Sequence, residues 1–243
     1  MRQQIQIKSC WTDAPSTQLK QDFICLANTV FGPYVTEDYF KTKFENDIYG
    51  PSLLTVVYVD GQAAGADMMW RNDLGGVRAY QTVDTCVLKQ FRGMGLFWRI
   101  THCEMEQLGK DTLVYGFPNA KSYPCYVKMG WHEKPLYKTL CLPLHAETIE
   151  NEYASWWIKA QQGIGHIQKL GKYYLIRKKE ESAVATLLGC VDENTARLFP
   201  RSEGVCLFKR LKTKSSIYNK NKSIPLVCNK TRMEIPYWKI DAI

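Results

Sequence analysis

The stretch YQTVDTCVLKQFRGMGLFWRITHCEMEQL, residues 80–108, decides the fold. Residues 80–88 are rich in Val, Thr and Tyr, the composition of a buried strand. Further on, Leu96, Phe97, Ile100, Cys103, Met105 and Leu108 recur at close to helical spacing. Between the two lies Gln90-Phe91-Arg92-Gly93-Met94-Gly95. Gly93 and Gly95 let the backbone take positive φ and approach a ligand closely. A strand, a glycine turn and a helix start gather free N–H groups around one point. The helix dipole adds to their attraction for an anion, above all a phosphate.

Two glycines alone also fit a plain strand-to-helix turn. A dinucleotide fingerprint needs a third glycine where Phe97 or Trp98 stands, and a P-loop needs Gly-Lys-Ser/Thr. What remains is Q-x-x-G-x-G directly after Cys86-Val87-Leu88. A second stretch, GFPNAKSYPCYVKMGW at residues 116–131, holds Asn119, then Tyr126 seven residues later, then the pair Gly130-Trp131. The two motifs, in this order and separated by room for one helix and one strand, resemble those of the GNAT N-acetyltransferase superfamily. FPNAKSYPCYVKMGW looks most like bacterial members from surface-polysaccharide gene clusters. The resemblance covers residues 4–143 and fades beyond them.

Composition sets wider bounds. A chain of 243 residues, 45% hydrophobic and 23% charged, can bury a sizeable core as one large domain or two small ones. No apolar run is long enough to span a bilayer, and MRQQIQIKSC lacks a signal-peptide core, so a cytoplasmic protein without a membrane partner is expected. The nine cysteines are odd in number and show no C-x-x-C pair or companion His cluster, which argues against a metal site and a secreted disulfide framework. Net charge is +8 and unevenly placed: residues 165–243 carry 16 Lys+Arg against 7 Asp+Glu (+9), and residues 1–164 carry 16 against 17 (−1). Such a basic third suits an anionic partner such as a phosphorylated substrate, or is simply a solvated Lys-rich surface; nucleic acid is not the expected partner.

Taken in order, residues 4–8 alternate as an opening strand, and residues 16–30 carry an amphipathic helix starting at Pro15-Ser16. A loop leads to a second helix near residues 37–46. The resemblance places this helix pair along an acceptor pocket, with Phe31, Tyr34, Tyr39 and Phe40 nearby, although core packing also explains these rings. Residues 53–59 and 62–71 flank Asp60-Gly61, a strong hairpin signal. Further strands are expected at 78–88, 112–117 and 131–143, and a short helix at 122–129. The expected class is α/β (α+β): a GNAT-like, mixed, mostly antiparallel central sheet flanked by helices, with a small C-terminal accessory α+β subdomain. The division expected is a GNAT domain at 1–148, a helix and linker at 149–164, and a basic subdomain at 165–243 that could be a degenerate second half. Within it, strands are expected at 173–178, 183–191 and 205–211, a short helix at 194–199, and a polar, cationic loop at 212–223.

The resemblance implies acetyl-CoA as co-substrate and direct transfer to a primary amine of a small molecule, such as an amino sugar, bare or nucleotide-linked. Two rivals stay open: a non-catalytic acyl-CoA-binding module, and a protein or peptide acetyltransferase. Arg92, Gly93, Met94, Gly95 and Leu96 would hold the pyrophosphate. Backbone N–H groups near Cys86, Val87 and Leu88 would meet the thioester oxygen as it gains charge. Tyr126 either protonates the leaving thiolate, as a phenol of pKa about 10 can, or only packs on the cofactor. Asn119 either bonds the cofactor arm or ends the strand. Asp84 is the candidate base or amine ligand, or else a structural acceptor; Glu37 and Asp67 are weaker candidates. Simple alternation puts Asp84, Cys86 and Leu88 on one face and Val83, Thr85 and Val87 on the other, so that Asp84 would be partly buried with its pKa raised. Cys125 beside Tyr126 would allow an acyl-cysteine, but no His lies near it in sequence and the resemblance implies direct transfer. A homodimer is left open.

Overall fold

A computed structural model describes residues 3–45, 48–73, 77–109, 111–141, 165–170, 173–178, 185–192 and 218–229. The expected helix and linker around 145–164, the helix at 194–199 and the strand at 205–211 lie outside the described residues.

The sheet starts at β1 (Ile5–Trp11), followed by α1 (Thr17–Phe31) and α2 (Glu37–Phe44). Each helix starts at a hydroxyl N-cap: Ser16 accepts from the Leu19 N–H, and Thr36 from the Tyr39 N–H. Leu19, Phe23, Leu26 and Ala27 form the buried stripe of α1. β2 (Leu53–Val59) and β3 (Gln62–Arg71) pair antiparallel through Asp60 and Gly61, both at positive φ (50° and 81°) as a tight primed hairpin turn requires. Every residue of β2 is buried, because both sheet faces are covered. On one face the Tyr58 hydroxyl donates to Asp22 of α1; on the other, Val57 packs with Leu96 and Ile100 of α3 (Leu96–Leu108).

β4 (Ala79–Val87) pairs with β3, then the chain crosses through α3 to β5 (Leu113–Gly116), the parallel neighbour of β4. After α4 (Tyr123–Lys128) come β6 (His132–Cys141), β7 (Gly165–Leu170), β8 (Tyr173–Lys178), β9 (Ala185–Asp192) and β10 (Tyr218–Cys228). The order across the sheet is β1-β2-β3-β4-β5-β10-β6-β9-β8-β7. This is the mixed, mostly antiparallel α+β architecture expected.

Two C-terminal features differ from the sequence reading. Residues 218–223, expected in a polar loop, begin β10, where pairing with β6 outweighs polar composition. β10 does not stay with its sequence neighbours but lies between β5 and β6. Asn229, just past it, binds β5 on both sides: its N–H donates to the Val114 carbonyl and its side-chain carbonyl accepts from the Val114 N–H, both near 3.0 Å.

β4 and β5 pair only from Ala79↔Leu113 to Thr82↔Gly116. There β5 ends while β4 runs on, so the sheet parts into a wedge. Gly116 sits at the fork, where an added Cβ would stand 2.5 Å from the Thr82 Cγ2. Gly116→Ala is therefore expected to lower stability by about 1–3 kcal/mol through overpacking. The check is thermal denaturation, and an unchanged Tm would show that the fork has room for a side chain.

Candidate functional site

The wedge is bounded on one side by the free edge of β4. The Leu88 N–H donates to the Ala64 carbonyl at 2.9 Å and is spent on β3. The Leu88 part of the expected oxyanion contact is thereby corrected. Antiparallel alternation then turns the Val87 N–H and carbonyl to the opposite edge, where β5 has ended. The Arg92 Nε does donate to the Val87 carbonyl at 3.1 Å, which leaves the Val87 N–H as the outward donor of this segment.

A single 3-10 turn (Lys89–Phe91) leads from β4 to the glycine turn. Gly93 has φ 84° and Gly95 φ 70°, values at which an L side chain is strained. Gly95 is the N-cap of α3 and supplies no side-chain cap, so the first N–H groups of the helix are left to an outside acceptor. Leu96 buries its side chain against Val57 and Ile100, and Met94 packs at the edge of the same cluster, which fixes the turn to the sheet.

The register between β3 and β4 slips by one residue: Ala66↔Cys86 is followed by Met68↔Val83, so β4 carries an extra residue opposite Asp67. Asp84 takes up the bulge at φ 55°. The expected alternation through residues 83–88 is thus broken. Thr82 and Thr85, three residues apart, both donate to Asp67, at 3.2 Å and 2.5 Å. Asp84 points the other way, under the loop between α1 and α2.

There the Asp84 carboxylate accepts from the Tyr34 hydroxyl at 2.6 Å and the Tyr39 hydroxyl at 2.9 Å, and the Lys43 Nζ stands 3.8 Å away. Lys43 is buried, donates to the Tyr39 hydroxyl at 2.8 Å and lies over the Trp70 ring. Burial and the Asp84 charge push the Tyr34 phenol far above its ordinary pKa. Of the four expected rings, Tyr34 and Tyr39 line this cluster, Phe31 is half-exposed beside Tyr34, and Phe40 is core, packed on Phe23 and Phe44.

On the opposite face Tyr126 is buried between Phe97 and Trp131, its hydroxyl 3.0 Å from the Thr82 Oγ1 at the fork. Burial first, then the Asp67 charge, raises its pKa, so it stays a phenol at neutral pH. Asn119 is exposed; its side-chain carbonyl accepts from the Lys121 and Ser122 N–H groups and shapes the entry to α4. Cys86 is buried, and desolvation pushes its thiol up to about 12, so it is no nucleophile at neutral pH. Glu37 is exposed and paired with Lys20. Among the described residues no His/Cys/Asp/Glu group has the make-up of a metal site, and no helix is long and apolar enough to cross a membrane.

The structure therefore gathers Tyr126, Val87 and the glycine turn around one wedge and sets Asp84 beside it on the other face. Sequence reasoning missed Lys43, Thr82 and Glu104. For Glu104 a signal existed: it is the one acid in the apolar stripe Leu96-Ile100-Glu104-Leu108 of α3.

No protein-family model and no curated protein matches the sequence. The fold, however, is that of solved GNAT structures. A protein from Pyrococcus horikoshii assigned to the acetyltransferases aligns at TM-score 0.55 and 9% identity over 96% of this chain and 92% of its own. A GCN5-related N-acetyltransferase from Kribbella flavida aligns at TM-score 0.55 and 11% identity over 91% and 71%. Another from Anabaena variabilis ATCC 29413 aligns at TM-score 0.54 and 11% identity over 91% and 72%. At these identities the likeness is one of fold.

The cluster around Asp84 makes its own prediction. Asp84→Asn removes the negative charge beside buried Lys43 while tolerating the left-handed backbone, and is expected to cost about 2–4 kcal/mol. Adding Lys43→Met should recover part of the loss. Denaturant titration of the single and double variants is the check; strictly additive losses would mean the two groups do not interact.

Proposed function

We propose that the protein is an acetyl-CoA-dependent N-acetyltransferase acting on the primary amine of a small molecule. The observation that carries this reading is a run of backbone donors that no described residue accepts from. It passes from the Val87 N–H at the open edge of β4, through the glycine turn, to the uncapped start of α3. Such a row suits a long, thin, anionic ligand whose thioester lies at one end and whose pyrophosphate lies at the other.

In this reading Gly93, Met94, Gly95 and Leu96 hold the pyrophosphate through their N–H groups, and Arg92 stands beside it. Asn119 flanks the arm across the wedge. The Val87 N–H stabilises the carbonyl oxygen as it gains charge, with Cys86 and Leu88 anchoring that donor to β3. Tyr126 donates its proton to the departing sulfur. Asp84, with Tyr34 and Tyr39, receives the amine from the α1–α2 side, as base or as ligand. The surplus of +9 in residues 165–243 fits an acceptor that carries phosphate, such as a nucleotide-linked amino sugar. Resemblance of the Phe117–Trp131 stretch to enzymes of surface-polysaccharide clusters supports the same acceptor class.

Gly95→Leu puts a side chain at positive φ on the phosphate contact and should weaken acetyl-CoA binding at least tenfold in calorimetry with the fold intact by circular dichroism; equal affinity would remove the loop from the site. Tyr126→Phe should lower kcat by roughly 10²–10⁴-fold with acetyl-CoA affinity unchanged. Near-normal kcat would make Tyr126 a packing residue. Tight acetyl-CoA binding without turnover on a broad amine panel would favour a non-catalytic acyl-CoA-binding module.

A further inference from the structure

Behind Tyr126 lie two acids that the proposed reaction does not use. Glu104 of α3 and Asp67 of β3 are both 0% exposed. Among the described residues no well-formed hydrogen bond reaches either carboxyl oxygen of Glu104; the Asp67 carboxyl, the Thr55 hydroxyl and the Cys103 thiol all act on it, and Thr55 is itself paired with Ser9. Asp67 accepts from Thr85 at 2.5 Å and from Thr82 at 3.2 Å, and the Thr82 oxygen is 3.0 Å from the Tyr126 hydroxyl. We infer that Asp67 and Glu104 hold one proton between them and, through Thr82, fix the direction in which the Tyr126 hydroxyl is presented to the wedge, an inference that rests on the acyl-transfer reading above.

Among the described residues, the other titratable groups that interact with the pair are Tyr126 on α4, Cys103 on α3 and Cys86 on β4, none of them a cation. Two bare carboxylates that interact in such a buried layer are strongly disfavoured, so one proton stays. Burial raises both carboxyls above their ordinary range, and the Asp67 charge raises Glu104 further. Asp67 receives the Thr82 and Thr85 hydroxyls while no described donor reaches Glu104, so at neutral pH the proton is on Glu104, and Asp67 is the charged member.

Thr82 has one hydrogen. With Asp67 ionised, that hydrogen goes to Asp67, and the Thr82 oxygen accepts from Tyr126. If the shared proton passes from Glu104 to Asp67, the chain reverses: Asp67 donates to Thr82, Thr82 donates to Tyr126, and the Tyr126 hydrogen turns to the wedge. One proton changes carboxyl, none enters or leaves, and the charge of the pair stays at one. Asp67, Thr82 and Glu104 are positioning residues in this scheme.

The test compares full-length wild type with Glu104→Gln, which keeps a donor towards Asp67 at every pH, and Glu104→Leu, which removes it. A folded Glu104 that keeps its proton while the unfolded chain releases it above its ordinary pKa makes wild type lose stability as pH rises. The Tm advantage of Glu104→Gln over wild type should then widen from pH 5 to pH 8, and a constant difference would overturn the shared proton. With ¹³Cζ-labelled tyrosine, the Tyr126 resonance (assigned with Tyr126→Phe) should move in Glu104→Leu and return close to its wild-type position in Glu104→Gln. An unmoved resonance in Glu104→Leu would overturn the coupling. In an active enzyme, kcat should fall at least tenfold in Glu104→Leu with acetyl-CoA KM unchanged and be largely rescued by Glu104→Gln; full activity in Glu104→Leu would reduce the pair to a structural role and overturn the proposal. Should Glu104→Leu fail to fold, Asp67→Asn takes its place in the resonance and kcat arms with the same expectations. Absence of turnover by wild type would sink the acyl-transfer reading, while the Tm and resonance arms would still decide the pair.

Discussion

Among the described residues, β4 beyond Thr82 has a hydrogen-bonding neighbour on one edge only, because β5 ends at Gly116. A strand inside a sheet normally spends both edges, and a buried N–H left unpaired is costly. The parting therefore creates a place that favours a ligand able to supply acceptors. The fork can be this sharp because Gly116 has no side chain to collide with Thr82. On the β3 side Gly65 permits an equally close approach, since a Cβ there would stand 2.7 Å from the Cys86 carbonyl. Glycines on both neighbours let β4 bend at this point.

The bulge does the second half of the work. Without the extra residue, Thr82 and Thr85 would face opposite sides of the sheet, and Asp67 would have one hydroxyl partner instead of two. With it, Asp84 leaves the α3 face and meets two phenols and Lys43 under the α1–α2 loop. One irregularity so sorts these polar groups into two sets on opposite faces of β4. One set stands behind the fork and the other beside it. Buried polar groups of this kind cost stability unless each finds a partner. The buried charged residues of the described core, Lys43, Asp67 and Glu104, all belong to these two sets, which mark the place where the sequence departs from packing alone.

Most of the framework was legible in the sequence because it rests on local rules. Asp60-Gly61 forces its hairpin between residues 53–59 and 62–71, and Ser16 starts α1. The glycine turn was legible for the same reason: Gly93 and Gly95 occupy backbone conformations that other residues resist. The bulge was not, since a run of Val, Thr and Asp reads as simple alternation, and only pairing with β3 shows where a residue is surplus. Glu104 was passed over because the helical pattern around it is satisfied without it. Lys43 carried no local signal, because only the tertiary structure seals it under Trp70.

β10 was the least legible element, and its placement bears on how the site holds its shape. Its composition, YNKNKSIPLVC, is half cationic loop and half strand, and nothing local says which sheet it joins. Pairing decides: its last residues lie against Tyr115 and Gly116 of β5, and Asn229 closes a two-way bond with Val114. The free end of β5, and hence one wall of the wedge, is thus braced by chain more than a hundred residues later in sequence. Such a contact carries a large loop-closure cost and forms late relative to the β1–β4 meander. The meander can assemble from neighbours in sequence, but the fork acquires its second wall only when the C-terminal strand docks. Any change that loosens β10 should therefore reach the wedge before it reaches the hairpin of β2 and β3.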